Sequence, residues 1–500
     1  MASPLSTNAS TATAAVQPKV KRTQVSRACL RCKRLQKGCS ETRPCPRCKR
    51  VGLENECLVG DGHAQGPPSV SQLAELNWSY PQLPASLSPE SIITSPLMTV
   101  STTLGPLRGR PPALVIGYCI RRFFEKLYPT IPILNPEYIE ILMAEDESSK
   151  SDAAGCLLMA VCAVVLIQVE APDERAFEAD GIHHSNRKFG ELLFDQATAA
   201  HNRLSLAFDP SLERVLATFF IYAGHAFLFH HSQGFYFLRE TATMWLVLRI
   251  QEGDSLRRKL AHRLFWVILV SERSHGIRYR RPVTLQVTPT VPRLDGLESR
   301  SDPALCGLRC LVGLFRPLDT VFFSLLNQED TALVSKPLAS LDAIQGAIRS
   351  ALDPQHIGVL CETQIANLRV TQLWLLVILW QLRLRLGLLV QDVGAPCHLT
   401  FYYPVEIGEE LGRVVRGISI DSIKVHGAGI NEKVFDVACA MVDVLSRVPD
   451  SDKDGSGLVN IRYFQRLIHK LPGGPSTYDD LLVKHIGNTL PSAEHHMSSP

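Results

Sequence analysis

Six cysteines, Cys29, Cys32, Cys39, Cys45, Cys48 and Cys57, stand in the spacing C-x2-C-x6-C-x5-C-x2-C-x8-C. Two C-x2-C pairs, each followed by a third cysteine, make two similar half-motifs. A two-residue spacer lets both sulfurs of a pair reach one metal ion, and thiolates bind zinc tetrahedrally. A segment this short cannot fold by burial alone and needs a staple, which zinc supplies. Two four-coordinate ions require eight ligand positions and only six sulfurs are present, so two thiolates must bridge. Internal symmetry selects Cys29 and Cys45, which open the two halves. The surrounding Arg27, Arg31, Lys33, Arg34, Lys37, Arg47, Lys49 and Arg50 favour deprotonated thiols, as metal binding requires. The competing arrangement is a one-zinc ribbon on Cys29, Cys32, Cys45 and Cys48, with Cys39 and Cys57 merely structural. Disulfides need an oxidising compartment, to which nothing here points.

These residues must be carried by a chain of 500 residues, more than one hydrophobic core organises, so two or three folding units are expected. With 45% hydrophobic and 20% charged residues, a collagen-like, wholly disordered or coiled-coil protein is excluded. The net charge of +3 hides a split. Residues 1–60 hold 12 Lys/Arg against 3 Asp/Glu, and the remainder holds 40 against 46. A basic head on a mildly acidic body predicts a polyanionic partner for the head. The first 18 residues lack an apolar signal-peptide core. The longest apolar run, Ala153 to Ile167, falls short of the ~20 residues of a membrane span and reads as a buried helix. A soluble intracellular chain with no membrane partner is expected, its other eight cysteines acting as small buried hydrophobes.

The stretch Arg27-Ala28-Cys29-Leu30-Arg31-Cys32 through Arg43-Pro44-Cys45-Pro46-Arg47-Cys48 to Cys57 resembles the six-cysteine binuclear zinc cluster of fungal transcription factors. The resemblance implies two Zn ions and a short helix, Cys29 to about Lys37, placed end-on in the major groove of double-stranded promoter DNA. Arg31, Lys33, Arg34, Lys37, Arg47, Lys49 and Arg50 become the DNA-binding set, some reading guanine edges and others phosphates. Family members usually carry basic residues three and one positions before the third cysteine. Gln36 and Gly38 stand there instead, which puts the family's common CGG half-site in doubt.

The expected organisation is a basic-ended tail (1–24), the zinc cluster (25–60), a flexible Pro/Gly/Ser-rich linker (61–112), a predominantly all-α regulatory domain (113–448) and a mostly disordered C-terminal tail (449–500). Lys19, Lys21 and Arg22 fit a nuclear-import signal and predict the nucleus. Only Val70, Leu73 and Leu76 offer heptad-like spacing after the cluster, so any homodimer must form through the helical domain. The Arg108-Gly109-Arg110-Pro111 stretch resembles a minor-groove hook, with a charged linker end as the plainer reading.

From Ala113 onward apolar residues recur at helical spacing. Ile116, Ile120, Phe123, Phe124 and Leu127 mark one face of a helix ending before Pro129. Further helices are expected over Cys156 to Val169, Leu212 to Ala223, Thr241 to Ile250, Leu260 to Glu272, Val370 to Leu386 and Lys433 to Ser446. The domain also resembles the fungal-specific regulatory domain of the starch- and maltose-responsive branch. Phe123 to Leu134, Ser271 to Gly276, Arg281 to Leu285 and Val370 to Trp374 carry that likeness.

No phosphate-binding loop, nucleophile elbow or H-E-x-x-H motif occurs, and no catalytic residue or enzyme activity is expected. Neither His183-His184 nor His230-His231 has an i, i+4 partner to share an ion. Glu272 and Arg273 read as a structural ion pair, Trp374 and Trp380 as core, with room elsewhere for a small-molecule inducer. Acidic and apolar residues at Tyr478-Asp479-Asp480-Leu481-Leu482 suggest a segment that docks on coactivators or transcription machinery. The expected duty is pathway-specific control of transcription. The compact format favours a secondary-metabolite biosynthetic gene cluster, and the domain resemblance favours the alternative of carbohydrate utilisation. A zinc-module protein adaptor and a helical enzyme with a zinc appendage are the alternatives of other classes.

Overall fold

The computed structural model describes Cys32, residues 39–40 and 44–51, and residues 110–490 apart from 145–151, 205–208, 294–301, 328–336, 353–356, 393, 449–454 and 474–476. The chain divides into two compact units, Met1–Pro68 and Ser69–Pro500. In the first, helix α1 (Pro46–Arg50) follows directly on Cys45, with proline at the first helical position, where its missing N–H is no loss. The expected tail and most of the expected linker lie outside the described residues.

Among its described residues the second unit is built of helices joined by loops, with one isolated bridge, Val390 to Thr400, as its strand-like feature. Helix α2 (Ala113–Arg122) runs into a π-helical turn, Phe123–Leu127, that stops at Pro129. Ile116, Phe123 and Leu127 are buried as their spacing predicts, joined by Val115 and Cys119. Next come α3 (Pro136–Ala144), α4 (Asp152–Gln168), α5 (Asn186–Arg203), α6 (Leu212–Phe227), α7 (His231–Val247) and α8 (Ser255–Tyr279). The apolar run at 153–167 becomes α4, buried on every side except at Gly155, which places it at the centre of the first half with α2, α5 and α6 packed around it.

The second half comprises α9 (Pro303–Phe315), α10 (Thr320–Leu326), α11 (Pro337–Ser350), α12 (Glu362–Arg385), α13 (Tyr403–Arg416), α14 (Ile420–Lys424) and α15 (Ala428–Arg447). Helix α12 is long and apolar enough to cross a membrane by length and composition, yet most of it is buried, walled by α9, α11, α13, α14 and α15. Trp374 and Trp380 lie in its buried face, each indole N–H satisfied, by Asp436 Oδ2 at 2.9 Å and by the Thr400 carbonyl at 3.0 Å. Helix starts follow local chemistry: Ser185, Ser211, Asp254, Asp302 and Asp319 each accept a first-turn amide.

The C-terminal segment corrects the expectation of a disordered tail. Residues 449–500 contain α16 (Ser456–Lys470) and α17 (Asp479–Thr489), both packed on α15. Ile461, Phe464 and Ile468 of α16, and Tyr478, Leu482 and Ile486 at α17, recur at helical spacing and join the common core. Polar residues between them dilute the local hydropathy, which is why composition misleads here. Arg110 is also docked, its guanidinium donating to the Leu142 carbonyl at 3.1 Å.

Close packing sets one position tightly. A Cβ added at Gly224 on α6 would fall within the ring of Phe194 on α5, which is itself buried. Gly224→Ala should therefore lower the thermal midpoint, although alanine is the better helix former by about 1 kcal/mol. A calorimetric midpoint that rises would show the ring yielding freely.

Candidate metal centre and the buried polar network

Three of the six expected zinc ligands are described together. The Sγ atoms of Cys32, Cys45 and Cys48 lie within 4.8 Å of one another, all three fully buried. Cys45 and Cys48 are brought to one side by the first turn of α1, where Lys49 N donates to the Cys45 carbonyl at 3.0 Å. Cys32 comes from 13 residues upstream, its sulfur 3.7 Å from that of Cys45. A disulfide would bring the pair to about 2.05 Å. Two thiolates on one zinc, at ~2.3 Å from the ion and tetrahedral, stand about 3.8 Å apart, which is what Cys32 and Cys45 show. The group can hold a zinc ion. Cys39 packs beside the three, its thiol 3.5 Å from the Ser40 carbonyl.

Arg47, Lys49 and Arg50 sit on α1 with their side chains in solvent, while Cys48 points inward. A single helical turn thus presents metal-binding sulfur on one side and cations on the other. Cys29, Cys57, Arg31, Lys33, Arg34 and Lys37, with Lys19, Lys21 and Arg22, lie outside the described residues. Zinc supplies cross-linking of these short segments when bound. Purified chain should carry zinc, and Cys48→Ser should lose most of it together with the protease resistance of the first unit. Elemental analysis of the variant beside the parent checks this, and undiminished metal in Cys48→Ser would remove it from the ligand set.

The larger unit gathers charge where sequence showed none. Arg278 on α8 is buried against two carboxylates of α15, Asp436 in direct ion pairing and Glu432 at 3.9 Å. Glu432 Oε1 accepts from Tyr279 at 2.5 Å and from Tyr478 at 2.6 Å. Tyr279 also reaches His231 Nδ1 at 2.7 Å. Burial opposes ionisation of Glu432, but Arg278, His231 and the two tyrosine hydroxyls outweigh it and hold its carboxyl below the usual range. Burial pushes Asp436 up to about 6 despite its guanidinium partner. Lys433, donating to Thr371 Oγ1 at 2.8 Å, is brought down to about 8 by burial.

Other expected residues scatter. Glu272 and Arg273 do not pair with each other, because neighbours on a helix point about 100° apart. Glu272 instead binds Arg239 at 2.9 Å and accepts the amides of Thr284 and Leu285, and Arg273 donates to the Phe315 carbonyl at 2.8 Å. His183 is on the surface. His230 faces His225, with Nδ1 atoms 3.4 Å apart, and His231 turns to Tyr279. A shallow cleft lined by Pro129, Thr130, Gly307, Gln364 and Asn367 has room for little more than a water molecule.

Burial depresses His225, His275 and His426 to about 4. They remain neutral in the fold, while the unfolded chain protonates them near pH 6.5. Stability is therefore full above about pH 6.5 and declines as pH falls towards 4. Asp436 and Asp195, both raised by burial, act in the opposite direction and are outnumbered by the histidines that burial lowers, which include His230, His231, His262 and His398. Urea midpoints at pH 7 and pH 5 should show the loss, and equal midpoints would mean these rings gain protons in the folded state.

No protein-family model matches the chain, and no solved structure does. The chain is 22% identical over 363 residues to the probable sucrose utilization protein SUC1 of Candida albicans, covering 71% of this chain and 68% of that relative. The alignment is far longer than the cysteine-bearing unit, so most of it falls in the helical one. The chain is thus a distant relative of a sucrose utilization protein, with a cysteine cluster suited to zinc near its N-terminus.

Proposed function

We propose that the chain is a zinc-cluster transcription factor that controls carbohydrate-utilisation genes. The observation that carries this is the thiol group: three buried sulfurs at zinc-ligand spacing, with Arg47, Lys49 and Arg50 on the solvent side of the same helical turn. The metal would hold a short basic segment rigid, so that its cations meet DNA phosphates in one register. All six cysteines fit two Zn ions bridged by Cys29 and Cys45, with Lys33, Arg34 and Lys37 completing the DNA-binding surface. Work on promoter DNA implies the nucleus, with Lys19, Lys21 and Arg22 as the import signal.

The sugar assignment rests on the relative's name, joined to the likeness of the helical domain to the starch- and maltose-responsive branch. Nothing in the comparisons favours a biosynthetic gene cluster, and the carbohydrate reading takes precedence. The helical domain would regulate output, through a sugar-derived inducer or self-association. The cysteine-bearing unit sits poorly with the adaptor alternative, because its cations lie outward on a rigid turn, as a polyanion requires.

The full chain should bind duplex promoter DNA with an affinity that falls steeply between 50 and 200 mM salt. Arg47→Ala and Lys49→Ala should each reduce the slope of log K against log salt by about 1. A flat salt response would remove DNA as the partner of the basic head. Genome-wide occupancy of the tagged protein should then concentrate on hydrolase and sugar-transporter promoters. Concentration over one block of adjacent biosynthetic genes would return the assignment to metabolite control.

A further inference from the structure

The two histidines that meet where α6 ends stand at a separation that suits a metal ion better than a hydrogen bond. Helix α6 finishes in a left-handed cap at Phe229, φ 61°, closed by its own backbone, with the His230 amide donating to the His225 carbonyl at 2.9 Å. That closure folds His230 back over the helix end, so that residues five apart face each other with Nδ1 atoms 3.4 Å apart. An N–H donor usually draws its acceptor to about 3.0 Å, and the pair is wide for such a bond. Two imidazole nitrogens on one tetrahedral zinc ion, each ~2.05 Å from it, stand about 3.3 Å apart, which this pair matches.

The ring of His225 is fixed in advance. It is buried, edge-on to Phe194 of α5 with centroids 4.8 Å apart and stacked on Phe237 of α7 at 5.2 Å. Its Nε2 has no hydrogen-bond partner among the described residues, so its side chain makes its polar contact there with His230. His230 is exposed, which leaves a path for an ion and for water. Burial lowers both rings from their ordinary value, and each offers a neutral nitrogen at pH 7.

A third donor adjoins them. Asp195 of α5 reaches solvent and makes no hydrogen bond or ion pair among the described residues. Partial burial raises its carboxyl and the charge of His230 opposes that rise, while Asp195 opposes the fall that burial imposes on His230. Arg187, whose charge also reaches His230, is paired with Glu191 at 2.7 Å. Two imidazoles and a carboxylate are a donor set that zinc accepts, whereas calcium and magnesium take oxygen ligands.

We propose that His225 Nδ1, His230 Nδ1 and the Asp195 carboxylate bind one zinc ion in the helical unit, with water as the fourth ligand and no cysteine in the site. The ion ties α5 to the end of α6, so the stability of this part of the helical unit follows the concentration of free zinc.

Equilibrium dialysis of the full chain against zinc chloride at tens of micromolar, read by elemental analysis, tests the site by difference. His230→Gln keeps a hydrogen-bonding side chain beside His225 and gives up the ligand; Asp195→Asn gives up the negative charge. The parent should hold one zinc ion more per chain than either variant, with the cysteine-bound metal equal in all three. Affinity at the site should fall roughly tenfold or more in each variant. Added zinc should raise the thermal midpoint of the parent and leave those of the variants in place. Both substituted side chains reach solvent, so without added zinc the three midpoints should coincide. Equal zinc content in the parent and either variant, or a midpoint that zinc raises equally in all three chains, overturns the site.

Discussion

A guanidinium taken out of water must find acceptors within hydrogen-bond reach, and Arg278 finds negative charge twice on one helix, in Glu432 and Asp436. Those carboxylates are one turn apart on α15, so meeting both fixes how α8 lies across it. The remaining valences of the pair then recruit the neighbours. Trp374 of α12 donates to Asp436, and Tyr279 and Tyr478 donate to Glu432. A network that joins α8, α12, α15 and the entry to α17 leaves little freedom in their relative placement. Apolar packing makes these helices associate, and the buried charges choose one arrangement among several.

The cysteine-bearing unit solves the opposite problem. It has too little apolar surface for a core, and its described interior consists of cysteine. Sulfur spacing suited to a tetrahedral ion substitutes for packing, which frees the outer surface of α1 for cations. Apolar burial is the main source of stability in the helical unit, and in the cysteine-bearing unit a bound ion would take that part.

On the proposed reading, the outward cations of α1 would gain affinity from phosphate contacts that require no large interface. The distant likeness is to a sucrose utilization protein, and on the proposed reading the signal to which the helical body responds would be sugar supply.

Sequence alone was sufficient for whatever depends on spacing between near neighbours. The C-x2-C spacing anticipated that Cys45 and Cys48 would turn their sulfurs to one side, because a single helical turn decides whether two sulfurs can share an ion. The apolar run at 153–167 and the periodic stretch at 370–386 announced central helices, because burial on all sides leaves no polar stripe. Tertiary structure decided what depends on distant partners. Arg278 and Asp436 are 158 positions apart, and nothing local marks either as buried. Glu272 and Arg273 looked like partners by adjacency, and helix geometry sent them to different neighbours. The C-terminal helices looked like a polar tail, because their few apolar residues acquire meaning only when α15 lies beside them. Local pattern determines which elements form; the long-range cost of burying charge determines where they rest.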